Sequence, residues 1–194
     1  MPEEHQIAEE RLYRIETQEV SLEKLVLPGR ILDIGGGGEG IIGQIFKDRV
    51  IAIDPNPMEL EEASEGPLKV VMDAKELKFL EASFDAITSF FTFMFIPNCD
   101  HQQVFAEVFR VLKPGGKFVV WDITIPPYDG GLKDIYVVPL KLCLPHKNVE
   151  TGYGTRWIEK EQSTEYFCRL AEATGFNVDA TQMNGQVMTL WFRR

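Results

Sequence analysis

The sequence predicts an α/β domain built on a mostly parallel sheet with helices on both faces. Three observations carry that expectation. Ile31-Leu-Asp-Ile34 is a short, mainly apolar strand that runs into Gly35-Gly-Gly-Gly38-Glu-Gly40, and Ile41, Ile42, Ile45 and Phe46 follow at helical spacing. Val50-Ile-Ala-Ile53 is an unbroken apolar run of the kind buried on both faces of a parallel sheet. Strand and helix patterns then alternate along the chain, and that order brings successive strands side by side in one sheet.

The glycine run is the most constrained stretch. Glycine admits positive φ and lacks a Cβ, so backbone N–H groups can lie bare against a ligand at a helix start, and the run reads as a socket for an anionic group. Gly35, Gly37 and Gly40 satisfy the spacing G-x-G-x-x-G. Asp33, just before them, is unusual, because a buried carboxylate requires a partner.

Composition narrows the class. With 194 residues, 44% hydrophobic and 26% charged, the chain suits one ordinary globular domain. No run of eighteen apolar residues and no leader pattern is visible, so the expectation is a cytoplasmic protein without membrane attachment. Cys99, Cys143 and Cys168 are too few and too far apart for a disulfide framework or a zinc site. A formal charge of −10 with no basic cluster argues against a nucleic-acid partner.

In chain order, Ala8, Leu12 and Ile15, then Leu22, Leu25 and Val26, recur at helical spacing, which predicts one or two helices over 1–27 ending at Pro28-Gly29. Such a helix is either a lid or a packing element on the sheet edge. The second strand ends in Asp54, 21 residues after Asp33. Strand, loop, helix and return strand consume about that many residues, so the two acids arrive side by side, and Asp54 can accept both hydroxyls of a ribose. Its structural alternative is to cap the turn with Pro55 and Pro57. Leu68-Lys-Val-Val-Met72 reads as a third strand, followed by Asp73 and Ala74. Asp33, Asp54 and Asp73 then line one rim of one sheet, where open α/β folds bind ligands.

Phe84-Asp-Ala-Ile-Thr-Ser-Phe90 supplies the fourth strand and runs into an aromatic stretch through Ile96 that reads mainly as core. Asp100 with Gln103 predicts a capping box for a helix through Leu112, and Lys113-Pro-Gly-Gly116 turns the chain into a fifth strand at 117–122. The segment 126–162 holds an apolar run at 134–144, a turn at 145–148 and a return run at 151–157, an inserted hairpin with Pro139 confining its first strand to an edge or bulge. A helix over 163–174 stopped by Gly175, then strands at 176–183 and 187–192 joined across Asn184-Gly185, close the chain.

Asp33-x-Gly-x-Gly, the strand-end acids Asp54 and Asp73, the Phe84-Asp85 opening and Arg110-Val-Leu-Lys-Pro-Gly-Gly116 together resemble the class I S-adenosylmethionine-dependent methyltransferases. Glu39 stands where that family's third glycine falls. The resemblance covers 30–124 motif by motif and 163–194 by topology. It implies a three-layer, Rossmann-like, seven-stranded sheet with an antiparallel last strand and an inserted hairpin-like segment after strand five, all in one methyltransferase domain over 1–194 with 1–29 as a helical lid.

The cofactor implied is S-adenosylmethionine, held by Asp33, Gly35, Gly36, Gly37, Asp54, Pro55, Asp73, Ala74, Ser89 and Phe90. Within that set Asp73 would accept from the adenine amino group, the Ala74 N–H would meet a ring nitrogen, and Ser89 and Phe90 would reach the methionine moiety. Phe93 to Phe95 would wall the methyl-transfer pocket, and Glu39 would pair with the cofactor's ammonium. No catalytic residue is assigned and no metal is expected, since a methyl on a sulfonium needs positioning more than a base. The acceptor is expected to be a small molecule, with Tyr128, Tyr136, His101 and His146 as candidate contacts, and 126–162 serves as substrate cover or homodimer contact. A non-catalytic cofactor-binding sensor or complex subunit and an NAD(P)-dependent oxidoreductase are the competing classes; Asp33 and the Lys-Pro-Gly-Gly turn speak against the second.

Overall fold

The structure, a computed structural model, describes residues 9–194. After a 3-10 turn at Glu9–Arg11 come β1 (Leu12–Arg14), β2 (Gln18–Ser21), β3 (Ile31–Ile34), α1 (Ile41–Phe46), β4 (Val50–Asp54), α2 (Pro57–Glu62), β5 (Leu68–Val71) and β6 (Phe84–Phe90). Then follow α3 (His101–Val111), β7 (Leu112–Ile123), β8 (Ile135–Cys143), β9 (Asn148–Arg156), α4 (Thr164–Thr174), β10 (Asn177–Asn184) and β11 (Val187–Arg193).

Seven strands form the main sheet in the order β10-β11-β7-β6-β3-β4-β5. The run from β5 to β7 is parallel, and β11 enters antiparallel between β7 and β10. The order reverses beside β3, where β4 lies on one side and β6 on the other. That switch point places the ends of β3, β4 and β6 around one crevice.

Alternating residues of each strand feed two cores. On one face Leu32, Ile34, Phe118 and Val120 pack with Phe105 and Val108 of α3 and Phe167 and Ala171 of α4. On the other, Ile31, Val119, Trp121 and Ile123 pack with Ile41 and Ile42 of α1 and with Tyr136, Val138, Leu140 and Leu142 of β8. Half of that third layer is therefore a second sheet rather than helix. In it β8 is central, paired antiparallel to β9 on one side and parallel to β1 and then β2 on the other. The four inward β8 side chains are all at most 1% exposed. Each such burial contributes about 1.5–3 kcal/mol, which anchors the second sheet on the first.

Three sequence expectations change here. The helical lid expected over 1–29 is not formed in the described part: residues 12–14 and 18–21 are strands, and Ala8 lies outside the described residues. Val20 and Leu22 are buried in alternation with exposed Glu19 and Ser21, a period of two that the wider helical spacing concealed. The open side of β8 supplied the backbone partners that decided the matter, with Ile15 N–H donating to the Val137 carbonyl at 3.1 Å. Pro139 sits in the middle of a central strand, not an edge. It falls between the residues that pair with β1 (through Val137) and those that pair with β2 (from Leu140), so its missing N–H faces a break in the neighbouring ladder. The capping box at Asp100 is also absent: a 3-10 turn at Asn98–Asp100 leads into α3, and the Asp100 carboxylate pairs with Lys75 at 3.0 Å.

Two further readings change: the Pro55–Pro57 turn leads into a helix at Pro57–Glu62, and Lys113–Gly116, expected as a turn, lies within β7, which begins at Leu112. Ser163 caps α4 by accepting from Tyr166 N–H at 3.2 Å, and Gly175 ends it in the left-handed region at φ 107°.

Candidate active site

The ends of β3, β4, β5 and β6 open into a cleft of about 950 Å³. The glycine loop forms its floor, and the geometry there explains two of the glycines. Gly35 has φ +69°, and a Cβ on it would stand 2.3 Å from the Thr92 side chain. At Gly37 a Cβ would lie 2.5 Å from Glu59 Cβ, so any larger residue pushes α2 away.

The loop is not a socket of bare N–H groups, which corrects the anion-site expectation. Gly35 and Gly36 both donate to the Ile53 carbonyl at 2.9 and 3.0 Å, Gly38 donates to the Glu59 carbonyl at 2.8 Å, and Gly40 donates to Gly37 at 3.0 Å. Around the loop stand the carboxylates of Asp33, Glu39, Asp54 and Glu59. The helix that follows has only six residues. Hydrogen-bond acceptors dominate, so the loop matches a ligand that presents hydroxyls and an ammonium and repels a phosphate.

Asp33 is 2% exposed beneath the loop and accepts from Thr88 Oγ1 at 2.7 Å. Burial pushes its carboxyl up to about 7, against the pull of that hydrogen bond. Half-buried Asp54 is also raised by burial, with the N–H groups of Asn56 and Gly37 pulling it back down. Burial, and then the charges of Asp54, Glu62 and Glu39, raise Glu59. Asp73 lies at the far end, where its carboxylate accepts from Lys75 N–H at 2.9 Å and Lys75 Nζ stands 3.7 Å away. Ile53, Met72, Ala74 and Val104 make that end an apolar slot.

Of the ten residues expected to hold the cofactor, Gly35, Gly37, Asp54, Pro55, Asp73, Ala74 and Phe90 line this cleft. Asp33, Gly36 and Ser89 are buried and lie outside its lining; the Ser89 hydroxyl has no hydrogen-bond partner. Phe95, half exposed, lines the cleft together with Phe91, Ile96 and Pro97. Phe93 and Met94 do not wall the pocket: both are fully buried, and Phe93 packs on His101, Phe105 and Phe167.

None of the four candidate acceptor contacts reaches the cleft. His101 is fully buried, its Nδ1 3.0 Å from the Tyr166 hydroxyl and its Nε2 3.2 Å from the Phe93 and Ile96 carbonyls, and burial lowers it to about 4. Tyr136 belongs to the core of the second sheet, Tyr128 packs on Trp157, and His146 is exposed at the β8–β9 turn. The residue that sequence reasoning missed is Tyr153 of β9. It lines the cleft with Gly152 and Gly154, its ring centroid 5.6 Å from Phe91 and 6.3 Å from Phe95. Its hydroxyl donates to Glu39 Oε2 at 3.1 Å, and Thr151 donates to Glu39 Oε1. Glu39, expected to meet the cofactor's ammonium, has both oxygens engaged by β9. Only Gly-Tyr-Gly at 152–154 hinted at a strand that brings bare backbone close to a ligand.

A parallel sheet with its switch point at β3, a glycine loop and strand-end acids around one crevice define a nucleoside-binding α/β domain. Comparison with known proteins identifies its kind. Residues 32–120 match the model of a family described as a methyltransferase domain. The chain is 32% identical over 183 residues to a demethylmenaquinone methyltransferase of Deinococcus radiodurans, covering 84% of this chain and 74% of that protein. It is 34% identical over 128 residues to a sterol 4-C-methyltransferase of Caenorhabditis elegans, covering 59% of this chain and 38% of that one. A solved S-adenosylmethionine-dependent methyltransferase of Methanosarcina mazei shares the fold at a TM-score of 0.65 and 17% identity, over 88% of this chain and 94% of that one. The chain belongs to the class I S-adenosylmethionine-dependent methyltransferases. It spans 38% to 63% of the length of the first curated relatives it matches.

Proposed function

We propose that this protein transfers a methyl group from S-adenosylmethionine to a small-molecule acceptor. The observation that carries the proposal is the cleft's chemistry: a glycine loop in which the N–H groups of Gly35, Gly36, Gly38 and Gly40 are spent on backbone carbonyls, ringed by carboxylates, in a member of this family. Acceptors in that arrangement suit a ribose and an ammonium, whereas a dinucleotide's pyrophosphate would meet like charge, so an NAD(P)-dependent reading is disfavoured.

In this reading Asp54, beside Pro55, takes the ribose hydroxyls, Asp73 and the Ala74 backbone take the adenine edge in the apolar slot, and Gly35 and Gly37 let the ligand approach the backbone. Phe90 closes the methionine end, and Asp33, Gly36 and Ser89 shape that end from below. S-adenosylmethionine, when bound, supplies a methyl already activated on a sulfonium. The chain's own task is then to hold the acceptor in line and exclude water. The hairpin β8–β9 is read as the substrate cover, because Tyr153 and the bare backbone of Gly152 and Gly154 face the cleft. The relatives' acceptors, a sterol and demethylmenaquinone, support a small organic acceptor here. No helix among the described residues is long and apolar enough to cross a membrane. The three free cysteines support a cytoplasmic reading.

Calorimetric titration with S-adenosylhomocysteine, with NAD and NADP in parallel, tests the proposal. Micromolar binding of the homocysteine nucleoside alone is expected. Binding of a nicotinamide nucleotide instead would overturn it.

A further inference from the structure

We infer that Glu39 is a positioning residue: it fixes Tyr153 as one wall of the acceptor end of the cleft, and that end takes an uncharged flat ring. The inference rests on the methyltransferase reading and goes beyond it.

Glu39 stands in the glycine loop where the family's pattern has a glycine, and here the added side chain spans to a strand more than a hundred residues away. Thr151 and Tyr153 lie two apart on β9, so their side chains share one face, and both hydroxyls donate to that single carboxylate. On the same face Thr155 donates to the Met94 carbonyl at 2.9 Å. The outer strand of the hairpin is thus tied to the cofactor loop at one end and to the segment after β6 at the other. Both oxygens of Glu39 hold the strand, and burial next to that carboxylate pushes the Tyr153 hydroxyl above the usual tyrosine range, so Tyr153 stays a donor.

The tie sets what the ring can do. Tyr153, Phe91 and Phe95 form an aromatic wall, and Ile96 and Pro97 continue it. Among the described residues lining the cleft Lys75 is the one basic side chain, and it stands at the Asp73 end, paired with Asp100 at 3.0 Å. Lys160 Nζ donates to the Ile96 carbonyl at 2.6 Å from outside the cleft lining, so among the described lining residues an anionic acceptor meets no basic side chain except Lys75, which Asp100 already pairs. Each oxygen of the Glu39 carboxylate already accepts from a hydroxyl, which weakens it as a partner for a cation, so a flat neutral ring that stacks on the wall is the best-matched chemistry.

Saturation-transfer NMR titrations of 1-naphthol, 2-naphthoate and 1-naphthylmethylammonium into the S-adenosylhomocysteine-loaded protein test this. The neutral probe is expected to bind in preference to both charged ones. Glu39→Ala should weaken it about tenfold or more, the scale of losing hydrogen bonds to a charged group. Tyr153→Phe, which keeps the ring and removes only the hydroxyl, should reproduce most of that loss. The double variant should lose no more than the larger single, and Glu39→Gln, which keeps one acceptor oxygen, should recover part. A merely structural Glu39 would lower the unfolding midpoint and leave probe affinity in the folded protein unchanged, which overturns the inference. Preference for a charged probe, no binding of 1-naphthol, or additive losses in the double variant overturn it as well. Failure of S-adenosylhomocysteine to bind the wild-type chain is a separate result and counts against the methyltransferase reading itself.

Discussion

The two sheets of this molecule were built by different rules. In the main sheet, β3, β4 and β5 are joined to parallel neighbours by short crossovers, β6 returns to pair with β3 across 55 residues (Ile31 to Ala86), and each strand announces itself by an apolar run ending near an acid or glycine. In the second sheet, β8 pairs with β1 across 123 residues (Leu12 to Ile135) and only with β9 across a short turn. The first sheet supplies a rim of acceptors at its strand ends. The second brings Tyr153 and Thr151 to that rim. Where the pattern is local the site residue is legible in the sequence, and where the pairing is distant it emerges only on folding.

The largest test of this contrast asks whether the second sheet is core or appendage. Leu140→Ala in β8 and Leu190→Ala in β11 remove side chains that are 1% and 0% exposed on opposite faces of the main sheet. Both should cost about 2–5 kcal/mol and keep a single urea transition. A second transition seen only with Leu140→Ala would separate the small sheet from the cooperative unit.

On the rim of the main sheet, Asp54→Ala should weaken S-adenosylhomocysteine binding by roughly 10- to 150-fold, from charged hydrogen bonds worth about 1.5–3 kcal/mol. Unchanged affinity in a folded variant removes Asp54 from the site. Asp33 gives a pH signature beneath the same loop. Its folded value of about 7 lies above its ordinary 3.8, so the native state holds the proton more tightly than the unfolded chain. The stability this contributes is full below about pH 4 and is lost as pH rises through 7. Buried Asp122 in β7, also raised to about 7 by burial, acts in the same direction. Urea midpoints of the ligand-free protein should fall between pH 5 and 8, and Asp33→Asn should flatten that slope. The smallest expected effect is at a cap: Ser163→Ala loses the hydrogen bond to Tyr166 N–H and should cost about 1 kcal/mol, read from the thermal midpoint with cofactor affinity intact.

How much was legible follows from how far each signal had to reach. The run Ile31 to Gly40 contains its own strand, turn and helix start, so its residues stated the local outcome. Phe90 through Ile96 was only half legible. A stretch with four phenylalanines among its seven residues divides between full burial away from the cleft (Phe93, Met94) and the cleft lining (Phe90, Phe91, Phe95), because the chain turns there, with Phe91 at φ +50°, and composition does not encode that rotation. Histidine and tyrosine chemistry misled for a related reason: His101 and Tyr136 carry useful groups, but burial assigned those groups to partners inside the fold.

The sequence by itself determined the strand–loop–helix units of the parallel sheet, the glycine loop and the acids at three strand ends, since each is written in a short continuous stretch of chain. Tertiary structure decided that residues 12–21 are strands, that Pro139 is tolerated in a central strand, that the loop N–H groups are spent on Ile53 and Glu59, and that Glu39 meets Tyr153. Each of those outcomes depends on a backbone or side-chain partner supplied by a neighbouring element after the sheets have packed, and no periodicity in the segment itself records that partner.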